Sequence, residues 1–267
     1  MFPFRNLLQF LLMCCVFSGP ALAASQTPYT LELGVTHTLD SRHQAEQRRV
    51  HVYLPEGYAD SGTTYPVLYL LDGERHFVHS IMASRLLAEQ QRTPQMVIVA
   101  ITNNDDTRSR DLYFERDKFT AFIQEELMPH IQSRYRVSGE NVLYGHSLAG
   151  QFAMHLLANE PELFDRFIVA SPPLKGIVDD VYNKLLQQGK QAAATSKVLY
   201  MSLANQEQED ANAFDGVHAL VTQLEKEAIG HLRWHYEYLD KESHITGYYP
   251  SLFNGLTAVF ADEKISH

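Results

Sequence analysis

The chain has 267 residues, 45% of them hydrophobic, with a formal net charge of −10. A surface that acidic repels nucleic acid and anionic lipid, so neither is expected as a partner. Its only two cysteines, Cys14 and Cys15, stand side by side near the start, where they cannot organise a disulfide framework or a metal site in the body of the chain.

Residues 1–23 carry one positive charge at Arg5, an apolar run from Leu7 to Phe17, and the small residues Ala21 and Ala23 before a polar Ser25-Gln26. This pattern reads as a cleavable secretory signal ending at Ala21-x-Ala23, and its apolar run is too short to anchor in a bilayer. A lipoprotein signal using Cys14 or Cys15 is disfavoured by Met13, which stands where that processing needs a small residue. Cleavage removes both cysteines and leaves an exported chain, periplasmic or secreted, with no thiolate chemistry. Residues 24–267 contain no repeat and no Ser/Gly/Pro-rich linker, and their length suits a single domain.

Tyr29 to Thr38 and Arg48 to Leu54 alternate apolar and polar residues and predict an antiparallel pair at a sheet edge. Pro66 to Leu71 is a continuous apolar run broken at Asp72-Gly73, as expected of a strand buried on both faces. Phe77 to Gln91 predicts a helix, Gln95 to Thr102 another buried strand, and Asn103 to Asp111 an irregular polar segment. Lys118 to Tyr135 predicts a long helix with Phe119, Phe122, Ile123, Leu127 and Ile131 on one stripe, kinked by Pro129 near His130. Further strands are predicted at Val142–Tyr144, Arg166–Ala170, Lys197–Ala204 and Leu232–Leu239, with helices at Gly150–Asn159, Val178–Gln188, Ala211–Ile229 and Tyr249–Phe260. An antiparallel start followed by repeated strand–helix units predicts an α/β fold, a mostly parallel central sheet with helices on both faces. Functional residues in such a sheet collect just beyond the carboxyl ends of the strands.

Gly145-His146-Ser147-Leu148-Ala149-Gly150 falls between a predicted strand and a predicted helix, the context of a nucleophile elbow. A serine there stands on a sharp turn, which requires small residues around it, and Gly145, Ala149 and Gly150 qualify. The pattern is G-x-S-x-A-G rather than strict G-x-S-x-G. The competing reading makes Ser147 an ordinary helix N-cap. A serine hydroxyl needs a base, and of thirteen histidines His244 occupies the loop after the last strand, the slot required by the chain order serine, acid, histidine. The acid is expected after the strand Lys197–Ala204: Glu207 first, with Glu209 and Asp210 as competitors. A solvated acidic turn and a serine–histidine dyad are the alternatives, and Asp240 and Glu242 lie too close in sequence to aim at the far nitrogen of His244. The carbonyl oxygen that becomes negative in acyl transfer is expected to meet the backbone N–H of Leu148 and one from Gly73 or Glu74.

The run Tyr65-Pro-Val-Leu-Tyr-Leu-Leu-Asp-Gly73, the elbow Gly-His-Ser-Leu-Ala-Gly and the late Glu242-Ser243-His244 resemble the putative esterase family of α/β hydrolases. That family includes the esterase-D-like enzymes and the bacterial ferric-siderophore (enterochelin, salmochelin, bacillibactin) esterases. The resemblance covers Tyr29 to Phe260. It implies an α/β-hydrolase fold and hydrolysis of a small-molecule ester by Ser147 and His244 without a cofactor, the acid position being variable. An exported member looks most like the periplasmic siderophore esterases, whose catecholate ligands are anionic. Arg108 and Arg110 sit in a loop suited to such a ligand, against the alternative that Arg110 pairs with Asp111 or another acid to hold the loop. His76 and His79, at i, i+3 spacing, read as solvated surface rather than as metal ligands. A hydrolase fold kept as a binding protein, and an acyltransferase, are the remaining alternatives; oligomeric state is not legible.

Overall fold

The computed structural model describes residues 33–103, 105–191, 195–205 and 211–261, apart from the side chains of Asp105 and residues 211–213. The signal segment, the first residues of the predicted edge strand, and all three candidate acids, Glu207, Glu209 and Asp210, lie outside that range. Eight strands make one sheet: β1 (Val35–Ser41), β2 (Glu46–Tyr53), β3 (Tyr65–Leu70), β4 (Val97–Ile101), β5 (Val137–His146), β6 (Arg166–Ala170), β7 (Lys197–Ala204) and β8 (Leu232–Leu239). Their order is β1-β2-β4-β3-β5-β6-β7-β8. The first two ladders, β1 with β2 and β2 with β4, are antiparallel, and all the others are parallel.

Every residue of β3 and β4 is buried, which is why both read as unbroken apolar runs. Helices α1 (Gly73–Glu89) and α8 (Tyr248–Val259) cover one face, where Ile81, Leu87, Leu252 and Leu256 pack on Leu68, Ile98 and Tyr144. The other face carries α5 (Leu148–Asn159), α6 (Val178–Gly189) and α7 (Ala211–Lys226), preceded by the short helices α2 (Asp105–Ser109), α3 (Arg116–Ala121) and α4 (Met128–Arg134). Among the described residues no helix is long and apolar enough to cross a membrane.

Three local expectations differ from what is found. The predicted helix Lys118–Tyr135 is split: Phe122–Leu127 is a π-helical turn and α4 restarts at Met128 with Pro129 in its first turn. Proline cannot donate the intrahelical bond, and in the first turn of α4 that donor has no partner of its own helix in any case. The polar segment after β4 is helical too, with α2 running into a π turn at Arg110–Phe114. On α8, Leu252, Leu256 and Phe260 are buried as the spacing predicts, whereas Tyr249 is 52% exposed.

Candidate active site

Ser147 stands between β5 and α5 with φ 59° and ψ −125°, a backbone conformation that costs a non-glycine residue on the order of 1–3 kcal/mol. Its side chain makes no capping bond, so the N-cap reading fails: a capping serine has extended backbone and an oxygen turned back onto the helix. The turn is held by the Ser147 N–H donating to the Ala170 carbonyl of β6 at 2.9 Å. A Cβ on Gly145 would lie 2.3 Å from the Ala149 carbonyl oxygen, and one on Gly150 only 3.1 Å from the carbonyls of Ala170 and Gly145. The elbow therefore closes on the backbone of residue 149, and the Ala149 methyl lies in the core instead, fully buried.

After β3 the chain turns through Asp72, whose φ of 52° and ψ of 46° are left-handed. Gly73 is required where it stands, because a Cβ there would sit 2.6 Å from the Ala100 carbonyl carbon of β4. The first N–H groups of α1 and of α5, those of Gly73 and Leu148 among them, have no carbonyl of their own helix to bond, so both helix starts offer donors at the strand ends, while the Glu74 N–H bonds its own carboxylate. The Glu74 carboxylate accepts the Asn103 N–H at 3.0 Å, and burial raises its pKa.

Arg108 and Arg110 separate sharply. Arg108 reaches the site, donating from Nε and Nη2 to the two carboxylate oxygens of buried Asp72 at 2.8 and 2.7 Å. Its Nη2 also lies 3.4 Å from the His146 carbonyl oxygen. Arg110 instead donates to Asp111 and Glu46 at 2.6 Å each, in a network that includes Arg48 on the opposite oxygen of Asp111 at 2.6 Å. Asp111 is fully buried there, so Arg110 holds the loop, as the alternative reading had it, and does not line the site.

The loop between β8 and α8 carries His244. Ser243 and Thr246 brace it reciprocally: the Ser243 N–H donates to the Thr246 hydroxyl at 2.9 Å and the Thr246 N–H to the Ser243 hydroxyl at 3.2 Å. The backbone carbonyls of Asp240 and Glu242 accept from the side chain and N–H of Asn205, at 3.1 and 2.8 Å. His146, buried at the end of β5, packs against His244 with ring centroids 4.6 Å apart and the rings tilted by 41°, and its Nε2 lies 2.8 Å from the His244 carbonyl oxygen.

One cavity of about 230 Å³ collects these groups: it is lined by Asp72, Arg75, His76, Arg108, His146, Ser147, His244, Ile245 and Tyr248. Ser147 and His244, 97 residues apart in the chain, thus meet at one crevice. His76 is not solvated surface, as its spacing with His79 had suggested, but 1% exposed, edge-on to Tyr144 and Tyr248 at 5.2 and 4.8 Å. Burial lowers its pKa to about 2 and that of His146 to about 3, the latter helped by the neighbouring His244 ring, so both are neutral. Sequence reasoning missed Asp72, Arg75, His76 and His146. Only Asp72 gave a signal, as the first residue after a buried strand.

A family model described as "Putative esterase" matches residues 41–246. The ferri-bacillibactin esterase BesA of Bacillus subtilis is 28% identical over 162 residues, 48% of this chain and 55% of that protein. The siderophore triacetylfusarinine C esterase of Aspergillus fumigatus is 32% identical over 129 residues, 41% of this chain and 44% of that protein. The chain thus spans about half the length of these curated relatives. Among solved structures, an IroE-like serine hydrolase from Shewanella oneidensis superposes with a TM-score of 0.79 at 28% identity, covering 87% of this chain and 82% of that one. The strand order, the strained elbow serine and the family match over most of its length together make this chain a member of the "Putative esterase" family, on an α/β-hydrolase fold.

Proposed function

We propose that the chain hydrolyses carboxylic esters through an acyl-enzyme on Ser147, with His244 as the base. The observation that carries this reading is the shared cavity, in which a serine under backbone strain and a histidine from the β8–α8 loop face the same space. His244 takes the Ser147 proton as Oγ attacks the ester carbonyl, then returns it to the departing alcohol; water repeats the cycle on the acyl-enzyme. The tetrahedral oxyanion is held by the N–H of Leu148 and a second from Gly73 or Glu74, supported by the donors that two helix starts leave without intrahelical partners. No cofactor enters. Glu207, Glu209 and Asp210 stay candidates for the acid.

Residues 1–23 are proposed to direct export, which N-terminal sequencing of the protein recovered from the periplasm or medium tests. For the chemistry, a fluorophosphonate probe on the full chain is expected to label wild type and leave Ser147→Ala dark, with aryl-ester turnover falling by about 10⁴-fold or more. Absence of labelling in an intact wild-type protein would favour a binding protein on a hydrolase fold.

A second reading, hydrolysis of an anionic siderophore ester, is favoured by Arg75 in the cavity lining, beside the Arg108–Asp72 pair, and by the names of the relatives above. Turnover of ferric and iron-free catecholate trilactones beside short and long aryl esters distinguishes it. A preference for the trilactone supports it, and indifference leaves a general carboxylesterase.

A further inference from the structure

We infer that His146, the residue before the nucleophile, is a positioning residue that fastens the His244 loop to the end of β5 through its Nε2–H. This rests on the reading of Ser147 and His244 given above. A backbone carbonyl can only accept, so the 2.8 Å contact between His146 Nε2 and the His244 oxygen assigns the hydrogen to Nε2. The ring is 7% exposed, packed against His244 on one side and His76 and Tyr248 on others, so its hydrogen has one place to go.

The same strand makes a second tie two residues earlier. The Tyr144 hydroxyl donates to the Tyr248 carbonyl at 3.2 Å, and alternate residues of a strand project to one face. Tyr144 and His146 therefore stand side by side on β5 and hold carbonyls 244 and 248, one on each side of the junction between the loop and α8. The backbone of His146 is itself engaged, its carbonyl within 3.4 Å of the guanidinium that clasps Asp72. One residue thus joins the turns after β3, β4, β5 and β8. The His146 side chain and one peptide unit thus form the shortest link between positions 147 and 244, beside the ties that Asn205 and Tyr144 make to the same loop and its helix.

The test compares His146 variants of the full chain with wild type on a 4-nitrophenyl ester. His146→Phe keeps a buried ring and loses the donor; His146→Gln loses the ring and keeps an amide N–H near the place of Nε2. If Nε2–H positions His244, His146→Phe loses about 10²-fold in kcat with KM within about threefold, the size expected of a roughly 1 Å misplacement. His146→Gln should recover to within about tenfold of wild type on the same scale. His146→Leu replaces His146→Phe in the comparison should the latter not fold. Equal losses in the ring-keeping and amide variants, a kcat within about threefold of wild type without the donor, or a loss confined to KM would each overturn the inference. Wild-type turnover that survives Ser147→Ala would instead overturn the esterase reading.

Discussion

Arg108 clasps Asp72 with two parallel hydrogen bonds, Nε to Oδ1 at 2.8 Å and Nη2 to Oδ2 at 2.7 Å, across 36 residues of sequence. Asp72 is 1% exposed and sits on the left-handed turn at the head of α1, so this pair fixes both a cavity wall and the start of a donor-bearing helix. Arg108→Ala leaves that carboxylate buried without its cation and is expected to cost about 3–5 kcal/mol, read as a lowered denaturant midpoint, together with a fall in kcat/KM. Arg108→Lys should recover part of the stability and little of the geometry, because an ammonium cannot offer the parallel fork. Wild-type stability in Arg108→Ala would mean that the clasp contributes nothing.

Arg110, two residues on, should behave in the opposite way. It is bound to Asp111 and Glu46 outside the cavity, so Arg110→Ala is expected to lower stability while leaving kcat/KM for aryl esters within about threefold. Asp111→Asn removes the anion from between Arg48 and Arg110 and should destabilise by about 3–5 kcal/mol. Substrate saturation curves for Arg110→Ala settle the first point: a large rise in KM would return this arginine to the binding site.

At the elbow the two small residues flanking Ser147 at equal distance are not equivalent. Gly145→Ala forces a methyl into the Ala149 carbonyl and should yield little folded protein. Ala149→Gly removes a core methyl and adds a helix glycine, a loss of about 1–2 kcal/mol with turnover retained. Soluble yield and thermal melting of the two variants measure the asymmetry; equal effects would contradict it.

Two buried imidazoles give stability a pH slope. His76 is held down to about 2 and His146 to about 3 by burial, whereas an unperturbed histidine takes its proton near pH 6.5. Below pH 6.5 the unfolded chain therefore binds protons that the folded chain refuses, and stability falls with pH by about 1.4 kcal/mol per unit for each ring. The contribution is complete above pH 6.5 and is lost progressively on the way down to the folded values. Denaturant midpoints at pH 7 and pH 5 should fall less steeply for His76→Phe than for wild type, by about one proton. An unchanged slope would mean that His76 is protonated in the folded state.

The sheet was legible because β3 and β4, buried on both faces, must be apolar throughout, and β1 and β2, half-exposed, must alternate. Ser147 was legible because its turn admits only small neighbours, and His244 because chain order reserves a slot for it. What stayed hidden depends on side chains that meet only after folding. His146 occupies the variable position of the elbow pattern, and nothing local distinguishes it from any residue that could stand there. Asp72 and Arg108 find each other across a parallel ladder that sequence spacing does not encode. His76 looked solvated because a histidine pair at i, i+3 says which helix face it shares but not whether that face turns inward. Pro129 announced an irregularity but not its form, a π-helical turn at Phe122–Leu127 followed by a new helical start.

The imidazole of His244 hangs from β8, which among the described residues pairs only with β7 and is therefore a margin of the sheet, the part of a fold that frays at least cost. Its carbonyl and that of Tyr248 are moored to β5, three strands further in. Transient opening of the margin can then come and go without dragging the proton acceptor away from its alcohol, and amide exchange in β8 should run faster than any loss of alignment at the crevice.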